Sequence, residues 1–174
     1  MNRFNVALLP IDVIFQFLFV ELASFFESSA EGYLLGENAL AHVTLCQFRT
    51  ANSEVARSVF NSWTSKRNID LRMGQFHFRK GREAHAGMVW AEILVEKDPV
   101  LLSLQKDCFT HLARFGFEIF TGVETYSPHV TLALLRADSA SIEPSIANLP
   151  YQTAIPFRPT VGYSTENGVF IKEI

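Results

Sequence analysis

His42-Val43-Thr44-Leu45 recurs as His129-Val130-Thr131-Leu132, and how this stretch is read decides the fold. Each copy lies among apolar, β-favouring residues with turn-formers ahead of it, a pattern that predicts a strand. Alternate residues of a strand share a face. Each copy therefore sends a histidine and a threonine out of one face while Val and Leu point the other way. Two such strands brought together would set two imidazoles and two hydroxyls around one small cavity, an arrangement suited to a phosphate. Taken singly, either tetrapeptide reads equally well as a half-buried strand whose histidine simply finds a hydrogen bond.

The repetition extends beyond the tetrapeptide. The copies lie 87 residues apart, 42 to 129. The same offset carries Asn5–Leu9 (NVALL) onto Glu92–Glu96 (EILVE), both strand-like, and Val13 onto Val100, each opening a helical pattern. A second echo pairs Gly87–Ile93 (GMVWAEI) with Gly168–Ile174 (GVFIKEI). The chain therefore reads as one strand–helix–strand–helix–strand unit used twice.

Composition limits the possibilities. A chain of 174 residues that is 48% hydrophobic, with 16 Phe, can bury a sizeable core in one domain. A net charge of −3 argues against a general polyanion binder. Basic residues nevertheless gather at Lys66, Arg67, Arg72, Arg79, Lys80 and Arg82, with Asp70 the one acid among them. That run reads as a solvated hairpin or as a rim for a nucleic-acid strand. Cys46 and Cys108 have neither metal nor redox spacing and are expected reduced, which fits a cytoplasmic location. Cys46 shares the parity of His42 and Thr44, so a Cys–His pair is conceivable, although a small buried thiol is the simpler role. The apolar stretch Val6–Phe26 is broken by Pro10, Asp12, Gln16 and Glu21. It reads as a strand, a turn and a core-packed helix rather than a span or a signal peptide.

Taken in order, the pattern predicts a central strand at Phe4–Leu9 and a largely buried helix from Val13 to about Glu27 capped by Asp12. Ser28–Leu40 reads as a connection, and the first signature strand runs from about Ala41 to Phe48. A helix capped at Asn52 or Ser53 follows, with a stripe of Val55, Val59, Phe60 and Trp63. An extended segment covers Ile69–Arg79 and changes parity at Gly74, which predicts a bulge there. His77 on that segment could reach a ligand, though a surface position suits it better. A strand at Met88–Glu96 leads to a helix opened by Asp98-Pro99, with a stripe of Leu101, Leu104, Cys108, Leu112 and Phe115. The second signature strand spans about His129–Leu135. Ser139–Asn148 reads as a short helix, Tyr151–Ser164 as extended, and Glu166-Asn167-Gly168 as a hairpin turn before a last strand. These elements make an α+β protein.

The paired signatures, the second led by Ser127-Pro128, resemble those of the two-histidine phosphoesterases. These include the bacterial RNA 2′,3′-cyclic phosphodiesterases often labelled 2′-5′ RNA ligases. The resemblance implies a single two-lobed domain over residues 1–174, with a repeat of about 4–86 and 87–174. It further implies a bilobal, pseudo-twofold fold in which two antiparallel sheets face a central cleft with helices outside. Many members carry a basic residue close behind the second motif. This chain has Ala133-Leu134-Leu135 there and reaches Arg136 only afterwards, which leaves the substrate open.

Under this reading His42 and His129 are the general acid and base, in an order the sequence does not assign. Histidine is the side chain whose ordinary pKa lies near neutrality. Thr44 and Thr131 would bind the phosphate oxygens. Tyr126, three residues before His129, could stack on a base. Arg79 and Arg136 are further substrate-binding candidates, with Tyr163 a weaker one. No metal or other cofactor is expected. The expected substrates are RNA ends or small cyclic nucleotides, handled by a monomer without a membrane partner. Alternatives within the resemblance are 2′-5′ phosphodiesterase or ligase activity, or another small cyclic nucleotide. Outside it lie a non-catalytic nucleotide- or RNA-binding module and a structural protein whose motifs coincide by chance.

Overall fold

The run Phe4–Pro10 has no solvent-facing parity, and the structure explains why. In the computed structural model, which describes residues 1–36, 38–82, 85–136 and 154–174, strand β1 (Asn2–Pro10) is buried from Phe4 onward. It pairs antiparallel with β3 (Val43–Thr50) on one side and β8 (Ala154–Ser164) on the other. A strand covered on both faces and both edges needs a continuous apolar sequence.

The other strands are β2 (Ala30–Leu34), β4 (Ile69–Lys80), β5 (Met88–Val95), β6 (Glu118–Ile119), β7 (His129–Arg136) and β9 (Phe170–Glu173). Their order is β2-β7-β5-β4-β8-β1-β3-β6, with β9 against β8. From either end inward the order is a short edge strand, a signature strand, an apolar central strand and a long strand. The two expected sheets are thus joined. Ile69–Arg72 of β4 pair with β8, and from Met73 onward the same strand pairs with β5. The changeover falls at Gly74, where the register slips between Met73 and Phe76. A Cβ at Gly74 would lie 3.2 Å from the Leu94 carbonyl oxygen. The bulge predicted there is therefore also a close backbone approach.

Three helices cover the described part of the sheet: α1 (Val13–Ser24), α2 (Ser53–Ser62) and α3 (Pro99–Ala113). Asp12, Asn52 and Asp98 cap them through side-chain oxygens that accept first-turn amides. The helices cross between halves. Helix α1 follows β1 but packs on β7, and α3 follows β5 but packs on β3. Each signature strand is therefore backed by the helix of the opposite half, and one core cluster runs through both.

Several elements differ from the sequence reading. Helix α1 stops at Ser24 and is not largely buried: Phe19, Leu22 and Ala23 face the core, but Val13, Ile14 and Phe17 are exposed. Its sequence is apolar all round, and a single sheet face covers only one side. On α2 the buried positions are Ala56 and Val59, with Val55 exposed, and at the end of α3 Phe115 is exposed as well. Strand β2 falls within the predicted connection; it joins the edge at two positions only, Ala30 against Leu135 and Leu34 against Ala133. The helix expected at Ser139–Asn148 lies outside the described residues, as do the first residues of the segment expected from Tyr151. No helix among the described residues is long and apolar enough to cross a membrane.

Candidate active site

The two signatures meet at one cavity of about 420 Å³, whose wall includes His42, Thr44, His129 and Thr131. His42 sits one residue ahead of β3 and His129 is the first residue of β7. The same local bond orients both rings. His42 Nδ1 lies 2.8 Å from the Leu40 carbonyl oxygen, and His129 Nδ1 lies 2.7 Å from that of Ser127. A carbonyl can only accept, so Nδ1 carries a proton in each ring, and Nε2 is the nitrogen whose protonation can change. Nε2 is the atom left to exchange a proton with a ligand.

Beyond that shared bond the histidines differ. His42 is 7% exposed and its ring packs 5.5 Å from that of Phe170. Burial lowers its pKa to about 4; the Leu40 and Gly168 backbone acceptors oppose the shift, and the positive charge of His129 adds to it. The ring is therefore neutral at neutral pH. His129 is half-buried and its Nε2 lies 3.5 Å from Glu92 Oε1.

The supports beneath the motifs come from distant elements. Asn5, fully buried on β1, donates from Nδ2 to Thr44 Oγ1 over 2.8 Å. With its oxygen engaged as acceptor, the Thr44 hydroxyl hydrogen is free to point into the cavity. Tyr126 donates to the Thr44 carbonyl oxygen over 2.9 Å, and Tyr33 to that of Thr131 over 3.3 Å. The tyrosine ahead of each signature thus holds the signature strand of the other half. Burial raises the pKa of both phenols, so they remain donors. Gln16 of α1 grips Ala41 through both its backbone N–H and its carbonyl, at 2.9 Å each. This fixes the segment that delivers His42.

Of the other residues singled out from the sequence, Tyr126 and Arg79 line the cavity, while Arg136 lies at the far end of β7 opposite Met88, outside its wall. The Tyr126 ring is buried and its hydroxyl is occupied. Tyr163 packs tilted against Phe4, ring centroids 5.1 Å apart, and is not in the cavity wall. His77 is on the surface side of β4, with Nδ1 3.6 Å from Glu92 Oε2. Cys46 and Cys108 are buried against each other, and burial, reinforced by the contact with Cys46, raises the Cys108 thiol.

The sequence reading did not assign Tyr33, Trp90 or the segment Asn167-Gly168-Val169 to the site, although all are in the wall, and it read the Glu166-Asn167-Gly168 turn only as a hairpin. It also missed Asn5 and Glu92 behind the wall. Gly168 has φ 89° and a Cβ there would fall 2.6 Å from Gln47 Nε2, so only glycine fits beside His42. Asn5 and Glu92 did leave a signal: each is a polar residue in a strand otherwise built for burial, and such a group is costly unless it has a partner.

A crystal structure of a phosphoesterase superposes with a TM-score of 0.53 over 99% of this chain and 95% of its own, at 16% identity. Escherichia coli LigT complexed with 3′-AMP superposes with a TM-score of 0.51 over 99% of this chain and 94% of its own, also at 16% identity. This chain has their fold. The α+β fold class implied by the paired motif is therefore the one observed, with the two expected sheets joined through β4. No protein-family model and no curated protein sequence matches the chain. Among the described residues no group of three or more His, Cys, Asp or Glu side chains is placed to hold a metal ion.

Proposed function

We propose that this protein is a phosphoesterase that hydrolyses 2′,3′-cyclic phosphates of RNA ends or nucleotides, with His42 as general base and His129 as general acid. The observation that carries this is the convergence on one cavity of both histidines, each ring oriented by an Nδ1–carbonyl bond, and of both threonines. Water attacks phosphorus, and the new P–O bond forms as its proton passes to His42 Nε2. The P–O bond to one ribose oxygen breaks and that oxygen takes a proton from His129 Nε2. Proton transfer by positioned groups contributes about 10²–10⁴-fold. Thr44 and Thr131 donate to the non-bridging oxygens, where charge builds. The neutral, buried His42 suits the base; His129, facing the Glu92 carboxylate, suits the group that carries a proton.

In the same reading Arg79 contacts the phosphate, Tyr126 serves to hold β3 rather than to stack on a base, and the chain is one two-lobed domain with halves of about 4–86 and 87–174. The test is a panel of 2′,3′-cyclic nucleotides, 2′-5′ dinucleotides and short RNAs ending in cyclic phosphate, with the products identified. His42→Ala and His129→Ala should each lower kcat/KM on the best substrate by about 10²-fold or more. Near-normal turnover by either variant contradicts the assignment, and nucleotide binding without any hydrolysis would recast the protein as a binding module.

A further inference from the structure

Among the described residues Arg79 is the only arginine or lysine in the cavity wall, and its charge is already engaged. Its Nε donates to Glu92 Oε1 over 2.9 Å. Glu92 is 1% exposed and stands directly behind the wall, opposite Thr131 in the β5–β7 register. The same Oε1 lies 3.5 Å from His129 Nε2, and Oε2 lies 3.6 Å from His77 Nδ1. One buried carboxylate thus faces the guanidinium and the imidazole that a bound phosphate would also address. At the offset that relates the two signatures, the first half carries Asn5, a neutral amide.

We propose that Glu92 is a specificity-determining residue, acting through Arg79 and His129, that tunes the phosphate subsite to monoanionic phosphodiesters and against dianionic phosphomonoesters. The proposal rests on the phosphoesterase reading and adds the charge state of its preferred ligand. A phosphodiester carries one negative charge; a phosphomonoester carries about −1.5 to −2 at neutral pH. The Arg79–Glu92 pair sums to no net charge. The Thr44 and Thr131 hydroxyls and the His42 ring are neutral, and in the proposed reaction the proton on His129 supplies the one further positive charge. Such a set accommodates one negative charge. A second charge finds no further cation in the described wall, and the Glu92 carboxylate behind Arg79 and His129 opposes it. Hydrolysis of a cyclic diester creates that second charge, so the product is the species the wall favours least and it leaves readily. Without Glu92 the guanidinium would stand unpaired and the preference would reverse.

The experiment is calorimetric titration at pH 7.5 with 2′-deoxyadenosine 3′-phosphate and with its methyl phosphodiester, neither of which has a 2′-hydroxyl through which to cyclise. The wild-type chain should bind the methyl diester at least as tightly as the more highly charged monoester. Glu92→Gln keeps the shape and removes the charge. It should tighten monoester binding tenfold or more relative to the diester, and the monoester should inhibit cyclic-phosphate turnover at a correspondingly lower concentration. Glu92→Asp, which keeps the charge, should retain the wild-type ratio. A folded Glu92→Gln variant whose monoester-to-diester ratio stays within twofold of wild type overturns the proposal. Should that variant fail to fold, a tenfold wild-type preference for the monoester overturns it alone. If the wild-type chain binds neither probe and turns over no cyclic phosphate, the phosphoesterase reading itself fails, a result distinct from an unchanged ratio in an active enzyme.

Discussion

His42 ties the site to the stability of the fold, and the link can be measured. Its pKa is lowered from 6.5 to about 4 in the folded chain, first by burial. Between those two values the unfolded chain binds a proton that the folded chain refuses. Stability therefore rises with pH across this window and is lost on acidification. The contribution is fully present above the unfolded value of 6.5 and exhausted below the folded value of about 4. A shift of this size corresponds to about 3 kcal/mol in all, and to about 2 kcal/mol by pH 5. The perturbation is His42→Gln, which keeps a neutral polar side chain and has nothing to titrate. The assay is urea denaturation of wild type and variant at pH 7.5 and pH 5.0, read as the difference between the two proteins. Carboxylates and the other histidines titrate alike in both and cancel. The wild-type advantage, whatever its size at pH 7.5, should shrink by about 2 kcal/mol at pH 5.0. A difference that stays constant to within about 0.5 kcal/mol across that range would show that His42 is not held neutral by its surroundings, and the case for it as base would fall with that.

Three further outcomes are expected. Removing the Asn5 amide in Asn5→Ala should cost about 1 kcal/mol of stability and lower kcat on the order of tenfold, because the Thr44 hydroxyl loses its orientation; unchanged kcat in a folded variant would mean that Thr44 needs no such support. Tyr126→Phe should lower the unfolding free energy by about 1 kcal/mol while leaving the dissociation constant of a bound nucleotide within about twofold; a large loss of nucleotide affinity would return Tyr126 to the substrate contacts. Turnover of a cyclic phosphate should survive dialysis against EDTA, and a loss restored by a divalent cation would point to another mechanism.

What could be read from the chain follows from the range over which each signal acts. The helix caps at Asp12, Asn52 and Asp98 and the bulge at Gly74 are local, set by one residue and its neighbours, and they stand where the sequence places them. The signature strands are local too, although β3 starts at Val43, so that His42 precedes it rather than lying within it. The residues that escaped notice act across the halves. Tyr33 matters because its hydroxyl meets the carbonyl of Thr131, and Gln16 because it clasps Ala41. In sequence, Gln16 only interrupts an apolar run. Nothing in the order of residues shows that α1 crosses to β7 and α3 to β3. That exchange is a property of the assembled sheet.

The near-symmetry of the two motifs makes the two histidines interchangeable in sequence, and a single pair of residues sets them apart in space. Asn5 and Glu92 fall on one another at the 87-residue offset and occupy matching central strands, β1 and β5. An amide can donate to Thr44 and brings no charge, so the half that holds His42 can be dry, and burial then keeps the ring neutral. A buried carboxylate needs a counter-charge and donors, so the half that holds His129 sets Arg79, His77 and His129 around it and stays partly open to water. Each environment needs the side chain it has. A carboxylate at position 5 would be a buried charge without a cation beside it, and an amide at position 92 would leave Arg79 without its counter-charge. Two imidazoles that look alike in sequence thus occupy sites of different electrostatic character, and in the proposed reaction that difference is what assigns the base to His42 and the acid to His129.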